Sequence, residues 1–86
     1  MTPAPPYKPP PLTNPKFNDA RVRQWQQQMK DRGWNIAVDS DYGDDSERIC
    51  RAFQKEKGLK VDGIVGPITW KATWEAPVTA AASPRH

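Results

Sequence analysis

The sequence predicts an all-α protein: a compact three-helix bundle built from a duplicated helix-turn unit, with an extended, proline-rich arm at its N-terminal end. Three observations carry that expectation. Apolar residues recur at helical spacing in three segments, one turn sequence occurs twice at an offset of 23, and seven of the ten prolines fall between Pro3 and Pro15. The 86 residues divide accordingly into an arm over 1–17, a folded module over 18–75 and a flexible tail over 76–86. A module of roughly 58 residues buries only about 60% of the surface its unfolded chain exposes, so its core is small. It has no room for both a deep catalytic cleft and a second domain, which puts a binding module ahead of an enzyme.

The arm comes first. Proline lacks a backbone N–H and fixes its own φ, so a segment this rich in it can form neither a helix nor a central strand and takes an extended, polyproline-like path. The first helix is expected over about 19–32, with Asn18 or Asp19 as its cap, Val22, Trp25 and Met29 as its apolar stripe, and Gly33 closing it in the left-handed conformation. The second, over about 44–57, begins with Asp44 and Asp45, acidic residues that a helix N-terminus favours. It carries Ile49 and Phe53 inward and ends at Gly58. The third, over about 67–75, has Gly66 as cap, Pro67 at the first helical position, and Trp70 and Trp74 on one face. Ile36, Val38, Leu59, Val61, Ile64 and Val65 in the connecting segments can cover the core from one side.

The repeat is the informative feature. Val38-Asp39-Ser40-Asp41-Tyr42-Gly43-Asp44-Asp45-Ser46 aligns with Val61-Asp62-Gly63-Ile64-Val65-Gly66-Pro67-Ile68-Thr69, and upstream of each copy stands an aromatic followed by Gln, Trp25-Gln26 and Phe53-Gln54. The chain therefore reads as two copies of one unit. Gln26 and Gln54 are expected to bond the backbone of the following turn, and Asp39 and Asp62 the N–H groups of their own turns.

These residues resemble a known family. Val22-x-x-Trp25-Gln26-x-x-Met29-x-x-x-Gly33, Val38-Asp39-x-x-Tyr42-Gly43-x-x-Ser46, and Ala52-Phe53-Gln54-x-x-x-Gly58-Leu59-x-Val61-Asp62-Gly63-x-Val65-Gly66-Pro67-x-Thr69-Trp70 are similar to the peptidoglycan-binding domain family. The first copy departs from the family pattern at Ser40, where Gly is usual, and at Asp44, where Pro is common. The resemblance implies a three-helix, non-catalytic module. Such a module recognises bacterial peptidoglycan, through stem peptide and adjoining glycan, in a shallow groove near the first loop and the helix after it. It also implies an attached or associated wall hydrolase of the endolysin type, for which the arm would be a semi-rigid spacer.

Within that reading, candidate ligand-binding residues are Trp34, Asn35, Asp39, Asp41, Tyr42, Arg48, Arg51 and Lys55. Trp34 and Tyr42 lie outside the helices and flank the first loop, where a small domain can present flat aromatic faces to solvent. Arg48, Arg51 and Lys55 form a basic stripe suited to carboxylates of a stem peptide, and the aspartates and Asn35 can bond amides or sugar hydroxyls. The parts played by Trp70 and Trp74 stay open between capping the core and lining the groove.

Other chemistries fit poorly. The single Cys50 excludes an internal disulfide, and the only His is His86, so no Ser-His-Asp or His-Glu-x-x-His constellation exists. A calcium loop begun at Asp39 would want an acid or amide where Gly43 stands, glycine at Asp44 and glutamate at Cys50, and all three fail. No metal or cofactor is expected, and no apolar run is long enough to span a bilayer or serve as a secretory signal. Synthesis in the cytoplasm, action at the cell wall and a monomeric state are expected. The formal charge of +3 and the basic stripe leave a small helical nucleic-acid binder as the alternative, although a duplicated turn has no reason to appear in a groove-reading helix pair. A third reading takes Tyr7-Lys8-Pro9-Pro10-Pro11 as a proline-rich ligand for another protein.

Overall fold

The computed structural model describes residues 3–14 and 17–76. Within them the chain runs β1 (Phe17–Asn18), α1 (Ala20–Asp31), β2 (Asp41–Tyr42), α2 (Asp44–Glu56) and α3 (Pro67–Glu75). The three expected helices are present within two residues of their expected ends. The two strands are a minimal antiparallel pair, Phe17 opposite Tyr42 and Asn18 opposite Asp41.

Helix ends form where the punctuation placed them. Asp19 caps α1, its carboxylate accepting from the Arg21 amide at 2.8 Å. Hydrogen bonds from Arg21 hold that carboxyl below its ordinary pKa. Gly43 and Gly66 cap α2 and α3 without a side-chain bond; Asp44, Asp45 and Glu47 fill the first turn of α2, and Pro67 begins α3. Gly33 (φ 103°) and Gly58 (φ 70°) close α1 and α2. In each case a paired bond seals the end: Gly33 N–H to Lys30 O with Trp34 N–H to Met29 O, and Gly58 N–H to Lys55 O with Leu59 N–H to Gln54 O. This is the Schellman arrangement, in which the residue after the glycine turns back over the helix.

The core forms where the three apolar stripes meet. Val22, Trp25, Met29, Ile49, Phe53 and Val65 are fully buried, with Trp70 and Trp74 nearly so. The Trp25 indole donates to Thr73 Oγ1 at 3.1 Å, and Thr73 Oγ1 donates to Thr69 O at 2.7 Å, so α1 is fastened to α3 through a satisfied buried hydroxyl. At the other end of α1 the buried Arg32 guanidinium donates to the carbonyls of Thr73 and Ala76 and lies 5.0 Å from the centre of the Phe53 ring. This cation–π contact joins the two carbonyl bonds in holding a charge against the core.

The arm departs from the expected spacer. It is extended, but over residues 3–14 it packs back on the module. Leu12 is buried and pairs with Val65 in both directions, Leu12 N–H to Val65 O at 3.1 Å and Val65 N–H to Leu12 O at 2.9 Å. Tyr7 meets Trp70 edge to face at 6.3 Å, and the Trp70 indole donates to Pro5 O at 2.7 Å. Arg21 donates to the carbonyls of Lys8 and Pro10. The physical reason lies between the prolines. A polyproline path leaves its carbonyls unpaired, and Tyr7 and Leu12 give it an apolar side to bury. Of the expected tail, residues 77–86 lie outside the described residues.

Leu12→Ala tests this packing. Removing a fully buried leucine should lower unfolding stability by about 2–5 kcal/mol, read as a shifted urea midpoint; an arm that stood off in solvent would leave the midpoint unchanged.

Candidate functional site

The two turns are built alike, each around a buried amide. In the first, Gln26 Oε1 accepts the N–H groups of Asp39 and Ser40 at 3.0 and 2.9 Å. Its Nε2 donates towards Asp39 Oδ1, Asp41 O and Ser46 Oγ at 3.0–3.1 Å. In the second, Gln54 Oε1 accepts from Asp62 and Gly63 at 3.1 and 2.9 Å, and its Nε2 donates towards Asp62 Oδ1, Ile64 O and Thr69 Oγ1 at 2.8–3.1 Å. The aspartates complete the turns by accepting from Asp41 N–H and Ile64 N–H. Burial alone would raise the Asp62 pKa, but the bonds from the Ile64 amide and Gln54, with the Lys60 charge, outweigh it and hold the carboxyl below its ordinary value.

The turns differ at the position of tightest curvature. Gly63 takes φ 71°, and a Cβ there would come within 2.8 Å of Glu47 Cγ, so only glycine fits. Its counterpart Ser40 takes φ 68° with a side chain present, storing strain in the first turn.

Outside each turn lies a shallow cleft, and the same six repeat positions contribute to both. The first, about 250 Å³, is lined by Asp39, Asp41, Gly43, Asp44, Asp45 and Ser46 together with Ala37. The second, about 200 Å³, has Asp62, Ile64, Gly66, Pro67, Ile68 and Thr69, joined by Leu59 and Lys60. One cleft is acidic and the other apolar, with Ile68 leaving 71% of its surface exposed. The second cleft was absent from the sequence reading, although the offset of 23 carries the signal for it.

Of the sequence-predicted site residues, Asp39 and Asp41 line the first cleft, and Asn35 is exposed near the end of α1. Asn18 Nδ2 donates to Asp41 at 2.8 Å and Asn14 Nδ2 to Asp44 at 2.7 Å; Arg48 pairs with Asp45 at 2.6 Å, both side chains more than half exposed. Arg51 pairs with Glu47 at 3.3 Å, and Lys55 is exposed one turn further along α2. Exposed pairs of this kind contribute about 0–1 kcal/mol, so they exchange readily for a ligand's charges.

Trp34 and Tyr42 do not present aromatic faces to solvent. Trp34 follows Gly33 in the Schellman closure, which turns it inward to meet Phe53 edge to face at 6.5 Å, with 3% of its surface exposed. Tyr42 is fully buried against Trp25, ring centres 5.6 Å apart, and its hydroxyl donates to Gly63 O at 2.7 Å, tying the first turn to the second. Burial pushes the Tyr42 phenol far above its usual pKa, and desolvation raises the Cys50 thiol to about 12. Both side chains stay neutral and structural.

The comparisons with known proteins agree with this geometry. The family model described as a peptidoglycan binding domain matches residues 18–72. The chain belongs to the peptidoglycan-binding domain family. It is 32% identical over 68 residues to a probable N-acetylmuramoyl-L-alanine amidase of Bacillus licheniformis, covering 76% of this chain and 19% of that protein. The chain thus spans about a fifth of that relative's length. A solved peptidoglycan-binding protein from Clostridioides difficile, in complex with glutamine hydroxamate, is 33% identical with a TM-score of 0.64, over 66% of this chain and 36% of that one.

The two turns of this peptidoglycan-binding domain should answer oppositely to substitution. Ser40→Gly should raise stability by up to about 1 kcal/mol by relieving the left-handed serine, while Gly63→Ala should lower it by more than 1 kcal/mol. Urea unfolding of both variants checks the sign.

Proposed function

We propose that the module holds a peptidoglycan stem peptide across the first-turn cleft and the adjoining exposed face of α2, and that it tethers an attached or associated wall hydrolase of the endolysin type to its polymer. The observation carrying this reading is the juxtaposition of opposite charges on one surface. Asp41, Asp44 and Asp45 line the cleft, and Arg48, Arg51 and Lys55 run along the helix that starts there. A stem peptide carries both amino and carboxyl groups. The aspartates suit its ammonium and amide N–H donors, and the arginine forks suit its carboxylates. Asp39 lines the same cleft, Asn35 is exposed in the segment that leads to it, and the buried Trp34 and Tyr42 serve as its support.

Family membership supports the polymer, and the amidase relative supports the association with a hydrolase. Tethering raises the local concentration of a hydrolase on the wall without any chemistry in the module itself. No helix among the described residues is long and apolar enough to cross a membrane, and action at the cell wall is part of the same proposal. The nucleic-acid alternative loses ground because Asp44, Asp45 and Glu47 in the first turn of α2 stand beside Arg48 and Arg51, so a polyanion would meet repulsion as well as attraction on that face.

The test is co-sedimentation with purified bacterial cell walls beside a DNA mobility-shift assay. The protein should pellet with walls and leave DNA unshifted. Arg48→Ala with Arg51→Ala, and separately Asp44→Asn with Asp45→Asn, should each weaken pelleting by about tenfold with the helical circular dichroism unchanged. Failure to pellet, together with a salt-steep DNA shift, would overturn the reading.

A further inference from the structure

A groove of about 390 Å³ runs between α1 and α3, away from both turn clefts and sharing no lining residue with them. Arg23, Gln24, Gln27, Gln28 and Asp31 of α1 form one wall, and Trp74 of α3 contributes the other. Its volume is in the range of small-molecule sites, about 300–1,000 Å³. Gln24, Gln27 and Gln28 stand at i, i+3 and i+4, so their three amides share one face of the helix.

The hydrogen-bonding state of that face is informative. Gln27 Nε2 donates to Asp31 at 3.0 Å, and Gln28 Nε2 reaches Thr73 O at a long 3.4 Å. These bonds orient two of the amides. The exposed Gln24 side chain bonds no described residue. Arg23 and Asp31 balance each other in charge, so the groove is polar without a net sign, in contrast to the acidic first-turn cleft. The Trp74 indole, held against Trp70 with ring centres 4.5 Å apart, leaves 9% of its surface exposed and adds an apolar contact at the groove.

We infer that this groove is a glycan subsite, taking an N-acetylated amino sugar of the strand. The inference rests on the peptidoglycan reading above and deepens it by giving the glycan its own place. Sugar hydroxyls both donate and accept, as primary amides do, and an acetamido group combines an amide with a methyl that can rest on an indole. A neutral ligand needs no net charge from the site, and Arg23 and Asp31 leave this groove without one. The stem peptide meets the charged surface at α2, while the sugar meets the amides of α1.

The probe is peptide-free glycan in its neutral form, a chito-oligosaccharide of N-acetylated amino sugars without lactyl carboxylates, titrated into the full chain with tryptophan fluorescence and calorimetry as readouts. The wild-type protein should bind it. Gln24→Ala with Gln27→Ala should weaken that binding by about tenfold, while melting temperature holds or rises because alanine is the better helix former. Asp44→Asn with Asp45→Asn should bind peptide-free glycan as the wild type does. Three results would overturn the inference: a wild type that pellets with intact walls but ignores peptide-free glycan, a glutamine variant that binds it undiminished, or loss of glycan binding in the aspartate variant. Failure to pellet with intact walls would be different, since it removes the peptidoglycan reading on which the inference rests.

Discussion

Two buried glutamine amides, Gln26 and Gln54, hold the rest of the structure in place. Each sits one residue after a core aromatic, with about 1% of its surface exposed, and each reaches out of its helix to close a distant turn. A primary amide suits this work because one end accepts two backbone N–H groups while the two hydrogens of the other are shared among a carboxylate, a carbonyl and a hydroxyl. Such a group is stable in the interior only when fully bonded, and a single unsatisfied member costs about 1–3 kcal/mol. The amides therefore fix the turns, and the turns fix where α2 and α3 begin. Ser46 and Thr69 follow from the same constraint, since each places a hydroxyl on the amide of its own repeat.

The two units are joined by contacts of equal economy. Tyr42 spans from the first turn to the Gly63 carbonyl of the second, and the segments before α1 add Phe17 opposite Tyr42 and Leu12 opposite Val65. Tyr42 and Val65 are counterparts in the repeat, so each turn is pinned by one short backbone pairing from the N-terminal side. The arm's prolines leave carbonyls free for Trp70 and Arg21. The arm thus enlarges a small core where its sequence suggested a standoff.

The helices, their caps and the duplicated turns were legible because each rests on local chemistry: apolar spacing, glycine at positive φ, proline at a first helical position. Asp39 and Asp41 could be placed at the first turn, and Arg48, Arg51 and Lys55 along α2, for the same reason. What escaped were side chains whose fate depends on the chain folding back. Trp34 looks like a loop aromatic until the closure after Gly33 turns it inward. Tyr42 looks exposed until its repeat counterpart Val65 is seen to be core. Leu12 is one apolar residue among prolines, with no periodicity to mark it. The α1–α3 groove draws Trp74 from 46 residues beyond Gln28, and no local pattern brings such residues together.

Function follows from where these constraints leave the surface free. The amides and buried aromatics use up the polar and apolar groups inside each turn. Carboxylates and arginines remain outside the first turn, aliphatic side chains outside the second, and amides along α1. Native-state hydrogen exchange at the Asp39, Ser40, Asp62 and Gly63 amides tests the central claim most directly. If the buried glutamines close the turns, these loop amides should exchange as slowly as the cores of α1 and α2. Exchange at the rate of open loop amides would contradict the account.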